Sequence, residues 1–306
     1  MVNGLYRAGL DPEEFECSFG TTDAAFDEGL KDAEILITAG SVIMRRRPGI
    51  APNLKVIFFT SAGLDGVAPF DWVPSGCAIL NNRGVHGRKA GEYAAMALLM
   101  LAMHMPSLLA AQREERWEQI FTPTVAGRSV TVVGLGDLGT AAAMRARTLG
   151  MNVTGVRSRL LPHPACDRVV GTEALDDVLP HTEFLVLACP LTAATRNLIS
   201  RQRLNGLPEG AGIVNMARGG IIDEEALCDM LENRHLSGAV LDVFGVEPLP
   251  AGHRLWKAPN LIMTPHVCAD DPAIYASLCL DIFCTNLKAY RAGEAMPNVV
   301  DMAKGY

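Results

Sequence analysis

The chain has 306 residues, which allows one large or two medium domains, and its 49% hydrophobic and 20% charged residues suit a globular protein with a substantial core. A formal net charge of −7 argues against a general nucleic-acid binder. The eight cysteines have no CxxC or other paired spacing, which predicts neither a disulfide framework nor a metal site. No signal-peptide pattern precedes Leu10, and the apolar run Tyr93 to Met103 is too short for a bilayer, so we expect a cytoplasmic protein without a membrane partner.

Short apolar segments predict a first group of strands at Phe15 to Phe19, Ile35 to Thr38, Leu54 to Thr60 and Ala78 to Leu80, with a helix at Asp23 to Leu30. The third of these segments is continuously apolar, which is typical of a parallel strand covered on both faces. A glycine-rich turn follows it and contains Ala62, Gly63 and Leu64. Consecutive backbone N–H groups in such a turn can hold an anion such as a carboxylate, and a plain loop is the alternative.

A long helical pattern extends from Lys89 to Trp117 and is interrupted only by Pro106. Through Met103 it is apolar on nearly all sides, which predicts a helix buried between two domains or between two subunits. We therefore expect a first domain over residues 1–88, rejoined by residues 277–306, and a second domain over residues 89–276.

A more specific pattern begins at Val130. The β-branched run Val130 to Val133 is followed by Gly134-Leu135-Gly136-Asp137-Leu138-Gly139 and then by an alanine-rich helical segment. Strand, glycine turn and helix are the context of a dinucleotide-binding fingerprint. Gly134 would permit the turn, Gly136 would let the backbone approach a pyrophosphate, and Gly139 would let helix and strand pack closely, while the helix N-terminus attracts the phosphates. An ordinary βα turn is the alternative.

Strands and helices alternate regularly after this point. Strands are predicted at Val153 to Val156, Leu185 to Ala188, Gly212 to Asn215, Gly238 to Val243 and Leu261 to Thr264, and helices at Asp223 to Glu232, with Asp223 as the N-cap, and at Pro272 to Ala292. This alternation predicts an α/β fold with a parallel, doubly wound sheet.

The residues after the second strand of this unit bear on the choice of dinucleotide. In the NAD fingerprint an acidic residue about 20 positions on binds the ribose hydroxyls. Here the strand ends in Arg157-Ser158-Arg159, without a carboxylate. Two guanidinium groups flanking a hydroxyl suit a phosphate dianion, so the sequence predicts NADP(H) rather than NAD(H). A pair of solvated surface arginines is the alternative.

Three polar residues follow the ends of later strands: Arg218, Glu247 and His266. We expect all three at the carboxyl edge of the sheet, on the same side as Gly134. Together they are what the reduction of a 2-oxoacid needs. Arginine binds the carboxylate and polarises the ketone, histidine donates the proton that accompanies hydride transfer, and glutamate fixes the histidine tautomer. A lone histidine after a strand is more often structural, so the hypothesis depends on all three residues.

These stretches resemble the D-isomer-specific 2-hydroxyacid dehydrogenase family. The matching segments, in the family's order and spacing, are Val133 to Gly139, Cys189 to Thr195, Val214 to Asp223, Leu241 to Pro248 and Thr264 to His266. The resemblance implies two Rossmann-like domains with parallel doubly wound sheets and an interdomain active-site cleft. It also implies a homodimer built around the cofactor domains and the long helix.

The resemblance implies roles for individual residues as well. The catalytic set would be Arg218, Glu247 and His266. The cofactor groove would be lined by Cys189, Pro190, Thr195, Met216 and Ala217, with Asp242 near the nicotinamide carboxamide. The substrate carboxylate would be held by backbone N–H groups of Ala62, Gly63 and Leu64, together with Arg218 and His266.

Within the family, Arg157-Ser158-Arg159 looks like the NADP-dependent glyoxylate/hydroxypyruvate reductase branch, and Glu247 argues against the formate dehydrogenase branch. The sequence therefore predicts an NADPH-dependent reductase of small 2-oxoacids. Two alternatives stay open: a reductase of bulkier oxoacids such as phenylpyruvate, and a non-catalytic NADP(H)-sensing protein like the family's corepressor branch. Two departures from the family pattern are His104, where an arginine is common, and the absence of an obvious strand before Phe15.

Overall fold

The computed structural model describes residues 2–48 and 51–303. The chain forms two compact units, and each is described by itself: unit 1 comprises Met1–Val85 and Asp271–Tyr306, and unit 2 comprises His86–Asp270. Both contain parallel strands with helices, so the predicted α/β class with parallel sheets is confirmed. Among the described residues no single helix is long and apolar enough to span a membrane; the consecutive helices Gly87–Ala102 and Met105–Arg113 reach that length only together and are bent by 66°.

Unit 1 contains a three-stranded parallel sheet. Helices and strands are numbered along the whole chain. The strands of unit 1, in spatial order, are β1 Ile35–Thr38, β2 Val56–Phe59 and β3 Ala78–Leu80, and its helices are α1 Val2–Arg7, α2 Asp23–Leu30, α3 Gly40–Arg45 and α10 Tyr275–Arg291. The central strand β2 is buried on both faces, as predicted, because Ile57 and Phe59 pack into one apolar cluster while Val56 and Phe58 pack into another.

The strand predicted at Phe15 to Phe19 is wrong. This segment pairs with no strand in the described part of the chain. In a strand, Phe15 and Phe19 would point to the same face. The structure separates them: Phe15 packs against the cluster that contains Phe283 of α10, whereas Phe19 is 78% exposed. The two rings therefore do not share one buried face, and the segment is irregular.

Unit 2 contains a seven-stranded parallel sheet in the order β10-β9-β8-β7-β4-β5-β6. Its strands are β4 Ser129–Val133, β5 Asn152–Val156, β6 Arg168–Val170, β7 Phe184–Leu187, β8 Ala211–Asn215, β9 Leu236–Leu241 and β10 Leu261–Met263. Its helices are α4 Gly87–Ala102, α5 Met105–Arg113, α6 Asp137–Thr148, α7 Leu175–Val178, α8 Arg201–Asn205 and α9 Glu224–Glu232. Helices α4 and α6 cover one face, and α7, α8 and α9 cover the other.

The strand order of unit 2 reverses between β4 and β7. In open α/β sheets, ligands bind at the carboxyl ends of the strands beside such a reversal. The loops that follow β4, β5, β7, β8, β9 and β10 all leave the sheet at this edge because the strands are parallel. The edge therefore holds the glycine fingerprint and the loops that carry Arg157, Cys189, Arg218, Glu247 and His266.

The helical pattern predicted from Lys89 to Trp117, with its interruption at Pro106, forms two helices: α4 ends at Ala102, and α5 begins at Met105 and ends at Arg113, short of Trp117. Pro106 explains the break. A proline lacks the N–H that would bond to the carbonyl four residues earlier, and its ring clashes with that carbonyl, which here belongs to Ala102. His104 makes the turn with a φ of 50°, in the left-handed region.

Candidate active site

The glycine fingerprint adopts the geometry that its spacing predicts. Gly134, at the end of β4, has a φ of +92°, and a Cβ there would lie 2.6 Å from Cys189 Cα. A Cβ on Gly139, in the first turn of α6, would lie 1.7 Å from the carbonyl oxygen of Gly134, so a larger residue cannot fit. Gly136 differs, because no atom lies within 4 Å of a Cβ there. The open side of Gly136 and the N–H groups of the first turn of α6 fit a dinucleotide pyrophosphate.

Asp137, the first residue of α6, binds protein backbone. Its Oδ2 accepts a hydrogen bond of 3.1 Å from the N–H of His86, immediately before α4. A Cβ on Gly87 would lie 2.6 Å from Asp137 Oδ1, so glycine allows this close approach. Asp137 thereby connects the starts of α4 and α6. The neighbouring Leu138 packs against the apolar cluster beneath α6.

The segment Arg157-Ser158-Arg159 follows β5 directly. Arg157 is half-buried and its N–H donates to Val170 O at 3.1 Å, whereas Ser158 and Arg159 are exposed. Neither guanidinium forms an ion pair with any residue in 2–48 or 51–303. Two cations beside the second strand of a dinucleotide fold suit an added phosphate on the adenosine ribose. Burial of His163 lowers its pKa, and the positive charge of Arg157 lowers it further.

The segment after β7 forms a wall beside the fingerprint. Cys189 is buried, and burial raises the pKa of its thiol to about 11, so it is a neutral apolar group and no nucleophile. Pro190 is exposed, and its carbonyl accepts a 2.6 Å hydrogen bond from Thr195 Oγ1. Thr195 Oγ1 also accepts from the N–H of Thr192 at 2.7 Å, which closes the turn. The family resemblance predicts Cys189, Pro190 and Thr195 in the cofactor groove; the structure places Cys189 against Gly134 and connects Pro190 to Thr195 in the turn that follows.

Arg218 lies on a tight turn after β8. Asn215, which is fully buried, holds this turn: its Nδ2 donates to Arg218 O at 2.9 Å and its Oδ1 accepts from Ala217 N at 3.1 Å. Met216 and Ala217 are buried beside it. The guanidinium of Arg218 donates to Ala217 O at 2.7 Å. Burial lowers the pKa of His86, and the positive charge of Arg218 adds to this effect. Sequence reasoning missed Asn215, whose role depends on the turn geometry.

Glu247 and His266 are in direct contact. His266 Nδ1 lies 2.7 Å from Glu247 Oε2, while Glu247 Oε1 accepts from the N–H of Phe244 at 2.9 Å. The two residues come from the loops after neighbouring strands β9 and β10. A carboxylate at Nδ1 makes that nitrogen the protonated one in the neutral ring. The other nitrogen, Nε2, has no hydrogen-bond partner among the described residues, and the side chain is half-exposed. The pair can therefore hold a histidine ready for proton transfer at Nε2.

The loops that carry Arg218 and Glu247 pack against each other. A Cβ on Gly219 would lie 1.9 Å from the carbonyl carbon of Phe244, so only glycine fits there. The N–H of Gly245 donates to Glu224 Oε1 at 2.7 Å, which anchors the second loop to α9. The structure thus brings the loop of Arg218, the loop of Glu247 and, through the 2.7 Å contact, His266 to one region of the sheet edge.

In unit 1, the loop predicted to hold a carboxylate turns its carbonyl groups inward. Tyr275 Oη donates to Thr60 O at 2.5 Å, the N–H of Asn82 donates to Ser61 O at 3.1 Å, and Asn81 Nδ2 donates to Ala62 O at 2.9 Å. The backbone N–H groups of Ala62, Gly63 and Leu64 have no hydrogen-bond partner among the described residues. Three consecutive unsatisfied N–H groups fit an anion.

His86 is a titratable group that sequence reasoning did not select. It is 8% exposed, and its Nε2 lies 3.2 Å from Asp270 Oδ1. Burial lowers the pKa of His86, and this outweighs the opposite effects of Asp270 and Asp137. The only sequence signal was its place immediately before the long helix. His86 and Asp270 are also the first and last residues of unit 2.

Comparison with known proteins identifies this arrangement. The model of the D-isomer specific 2-hydroxyacid dehydrogenase, NAD binding domain, matches residues 95–268, more than half of the chain. The chain belongs to the D-isomer specific 2-hydroxyacid dehydrogenase family. The matched residues contain the glycine fingerprint, the segment after β5, and all of Arg218, Glu247 and His266.

Several members of the family are similar to the chain. D-3-phosphoglycerate dehydrogenase of Methanocaldococcus jannaschii is 30% identical over 295 residues, which are 94% of this chain and 56% of that protein. Glyoxylate reductase of Korarchaeum cryptofilum is 28% identical over 82% of this chain and 77% of its own length. A D-isomer specific 2-hydroxyacid dehydrogenase from Xanthobacter autotrophicus Py2, solved in complex with NADPH and MES, is 30% identical with a TM-score of 0.83, covering 99% of this chain and 94% of that one. The chain spans about half the length of the first curated relatives it matches.

Proposed function

We propose that the protein is an NADPH-dependent reductase of small 2-oxoacids, of the glyoxylate or hydroxypyruvate type. The observation that carries this proposal is the 2.7 Å contact between His266 Nδ1 and Glu247 Oε2 at the carboxyl edge of a dinucleotide-binding sheet. A non-catalytic nucleotide sensor needs no proton donor, so an intact histidine–carboxylate pair argues for the enzyme.

In the proposed reaction the reduced nicotinamide supplies a hydride to C2 of the oxoacid. The chain's own residues provide the rest. His266 donates the proton at Nε2 to the carbonyl oxygen, so that a ketone gains one hydride and one proton and becomes a D-2-hydroxyacid, or glycolate from glyoxylate. Glu247 accepts from Nδ1 of His266 and so orients the ring for the transfer, and Arg218 binds the carboxylate and polarises the carbonyl group. The N–H groups of Ala62, Gly63 and Leu64 are proposed to bind the substrate carboxylate as well.

The preference for NADPH rests on the segment after β5. Arg157 and Arg159 are cations without an ion-pair partner among the described residues, and no carboxylate stands beside them to bind the ribose hydroxyls or repel a phosphate. The Xanthobacter autotrophicus dehydrogenase that the chain resembles along 99% of its length was solved with NADPH. Both observations support NADP(H) as the cofactor of this chain.

A homodimer is part of the proposal. Helix α4 exposes Met96 and Leu99, Met103 is exposed just after its end, and the connection between α5 and β4 exposes Trp117 and Phe121 by 93% and 89%. Large apolar side chains so exposed favour association with a second chain. Light scattering after size-exclusion chromatography should give about twice the mass of one chain, and Trp117→Glu should lower it. A monomer at micromolar concentration would contradict the dimer.

A substrate panel tests the proposed activity. The full chain is mixed with NADPH and, separately, glyoxylate, hydroxypyruvate or phenylpyruvate, and loss of NADPH absorbance is measured. We expect the two small acids to be reduced faster than phenylpyruvate, and NADPH to serve better than NADH. Faster reduction of phenylpyruvate would favour the bulky-substrate alternative, while tight NADPH binding without reduction of any acid would favour the sensor. D-3-phosphoglycerate with NAD⁺ or NADP⁺ tests the activity named for the Methanocaldococcus jannaschii relative.

A further inference from the structure

The carboxylate of Asp242, which follows β9, is fully buried and engages three donors. Thr264 Oγ1 lies 2.6 Å from its Oδ1, the N–H of Val267 donates to the same oxygen at 2.9 Å, and the N–H of Cys268 donates to Oδ2 at 2.9 Å. Two N–H groups and a hydroxyl around one side chain show that Asp242 acts as an acceptor. All three donors belong to the loop after β10, so Asp242 holds that loop.

His266 lies in the middle of the same loop. Its backbone N–H donates to the carbonyl oxygen of Asp242 at 2.8 Å, and its φ is 55°, in the left-handed region that costs a histidine conformational energy. Such a conformation persists only where neighbouring contacts impose it. The contacts that impose it here are those of Asp242 with Thr264, Val267 and Cys268, on both sides of His266.

Thr264 connects Asp242 to a residue of α4. Tyr93 Oη lies 2.7 Å from Thr264 Oγ1. A threonine hydroxyl has one proton, and Thr264 gives it to Asp242, so Tyr93 must be the donor to Thr264. Tyr93 is 7% exposed, and burial raises the pKa of its phenol far above neutrality, so the phenol keeps the proton that it donates. A chain of hydrogen bonds therefore runs from Tyr93 through Thr264 to Asp242.

We propose that Tyr93 is a positioning residue for His266 and acts through the hydroxyl of Thr264 and the carboxylate of Asp242. The Tyr93 hydroxyl fixes the direction of the Thr264 proton, Thr264 fixes Asp242, and Asp242 holds the strained loop that presents His266 to Glu247. This inference rests on the proposed function of His266 as proton donor. It gives Asp242 a task, organising the catalytic loop, that is separate from contact with the nicotinamide.

Tyr93→Phe tests the first link because it removes one hydroxyl and keeps the buried ring. We expect kcat for the best 2-oxoacid to fall about 3- to 10-fold, as for the loss of one hydrogen bond, with KM for NADPH changed less than about twofold. Tyr6→Phe is the matched control, since Tyr6 is 63% exposed in unit 1, and it should leave kcat unchanged. Unchanged kcat in Tyr93→Phe would overturn the inference, as would an equal effect of the two variants.

Substitutions of Thr264 test the route. Thr264→Val removes the hydroxyl at nearly constant volume and should lower kcat about 10-fold or more, whereas Thr264→Ser keeps the hydroxyl and should stay within about threefold of wild type. If Tyr93 acts through Thr264, adding Tyr93→Phe to Thr264→Val should lower kcat no further. Multiplying effects in the double variant would refute this route. Thermal midpoints of all variants show whether a loss of kcat merely reflects unfolding.

The ring signals of His266 in an NMR spectrum provide a measurement that needs no turnover. They are assigned by their loss in His266→Asn. We expect them to shift in Tyr93→Phe and Thr264→Val but not in Tyr6→Phe or Thr264→Ser. If wild type reduces no 2-oxoacid yet these signals shift as expected, the proposed function fails and the positioning stands. If wild type is active and the signals and kcat are unaffected by Tyr93→Phe, only the positioning fails.

Discussion

For single residues, the contact between His266 Nδ1 and Glu247 Oε2 leaves Nε2 as the nitrogen that transfers the proton in the proposed reaction. His266→Asn should remove that proton while preserving the loop, because asparagine tolerates the left-handed φ of 55° better than most residues. We expect kcat to fall about 10²- to 10⁴-fold, the usual contribution of general acid catalysis. Fluorescence titration should show NADPH binding within about twofold of wild type. The exposed His181→Asn is the matched control, and wild-type turnover in His266→Asn would remove His266 from its proposed role.

Arg157 determines the cofactor preference in the proposed function. Arg157→Asp should replace an attraction for the ribose phosphate with a repulsion and lower the ratio of kcat/KM for NADPH over NADH about 10- to 100-fold, the range for a charge-assisted hydrogen bond. The ratio is measured with one oxoacid and both cofactors. Arg168→Asp makes the same charge change on the edge strand β6 and should leave the ratio nearly unchanged. An equal ratio in Arg157→Asp and wild type would show that Arg157 does not bind the ribose phosphate of NADPH.

For secondary-structure elements, two glycines of the turn from β4 to α6 have different roles. Gly139 is needed for folding, whereas Gly136 is expected to matter only for cofactor binding. Gly139→Ala would place a methyl group 1.7 Å from Gly134 O, so it should lower the free energy of unfolding by about 1–3 kcal/mol or prevent folding. Gly136→Ala meets no atom within 4 Å and should leave the thermal midpoint unchanged while weakening NADPH binding. Calorimetry and NADPH titration of both variants check this. Equal NADPH affinity in Gly136→Ala and wild type would place the pyrophosphate elsewhere.

Elements whose pattern is local were predictable from the sequence. The N-cap predicted at Asp223 is present, since its side chain accepts from the N–H of Ala226, and the strand predicted at Leu261 to Thr264 is β10 within one residue. Strand β6 was missed because three residues at the edge of a sheet carry almost no periodicity. The interruption at Pro106 was predicted, but the break falls a few residues earlier, after Ala102, because a proline disrupts the helical turn that precedes it.

The candidate site was predictable only in part, for a related reason. Arg218, Glu247 and His266 follow strand ends, and strand ends can be found in a sequence. The partners that orient them come from distant positions: Tyr93 meets Thr264 across 171 residues, and Asn215 acts through a turn whose shape the sequence does not reveal. From the sequence alone, a tyrosine in an apolar helix is interpreted as a core residue, because the partner of its hydroxyl cannot be identified.

For the molecule as a whole, the buried His86 makes stability depend on pH. Its pKa is lower in the folded protein than the ordinary value near 6.5, so the unfolded chain binds the proton first as the pH falls. Stability is therefore complete above about pH 6.5 and declines as the pH falls below that value. The hydrogen bond from Arg203 lowers the pKa of Asp176 in the folded protein. The contribution of Asp176 to stability is therefore lost only in a more acidic range than that of His86.

His86→Gln should abolish this part of the acid sensitivity. We expect the thermal midpoint of wild type to fall more between pH 7.5 and 5.5 than that of His86→Gln, as measured by differential scanning fluorimetry in matched buffers. His253→Gln, another histidine of unit 2, serves as the control and should behave like wild type. Parallel pH curves for wild type and His86→Gln would contradict the assignment.

The 3.2 Å separation of His86 Nε2 and Asp270 Oδ1 means that the seven-stranded unit starts and finishes at one point. A continuous stretch with adjoining ends is the arrangement that tolerates excision, transplantation into a host loop and circular permutation. Residues 86–270 therefore form one continuous segment with adjoining ends, a suitable unit for transplantation or circular permutation, and this segment contains the glycine fingerprint, Arg157, Arg159 and His266.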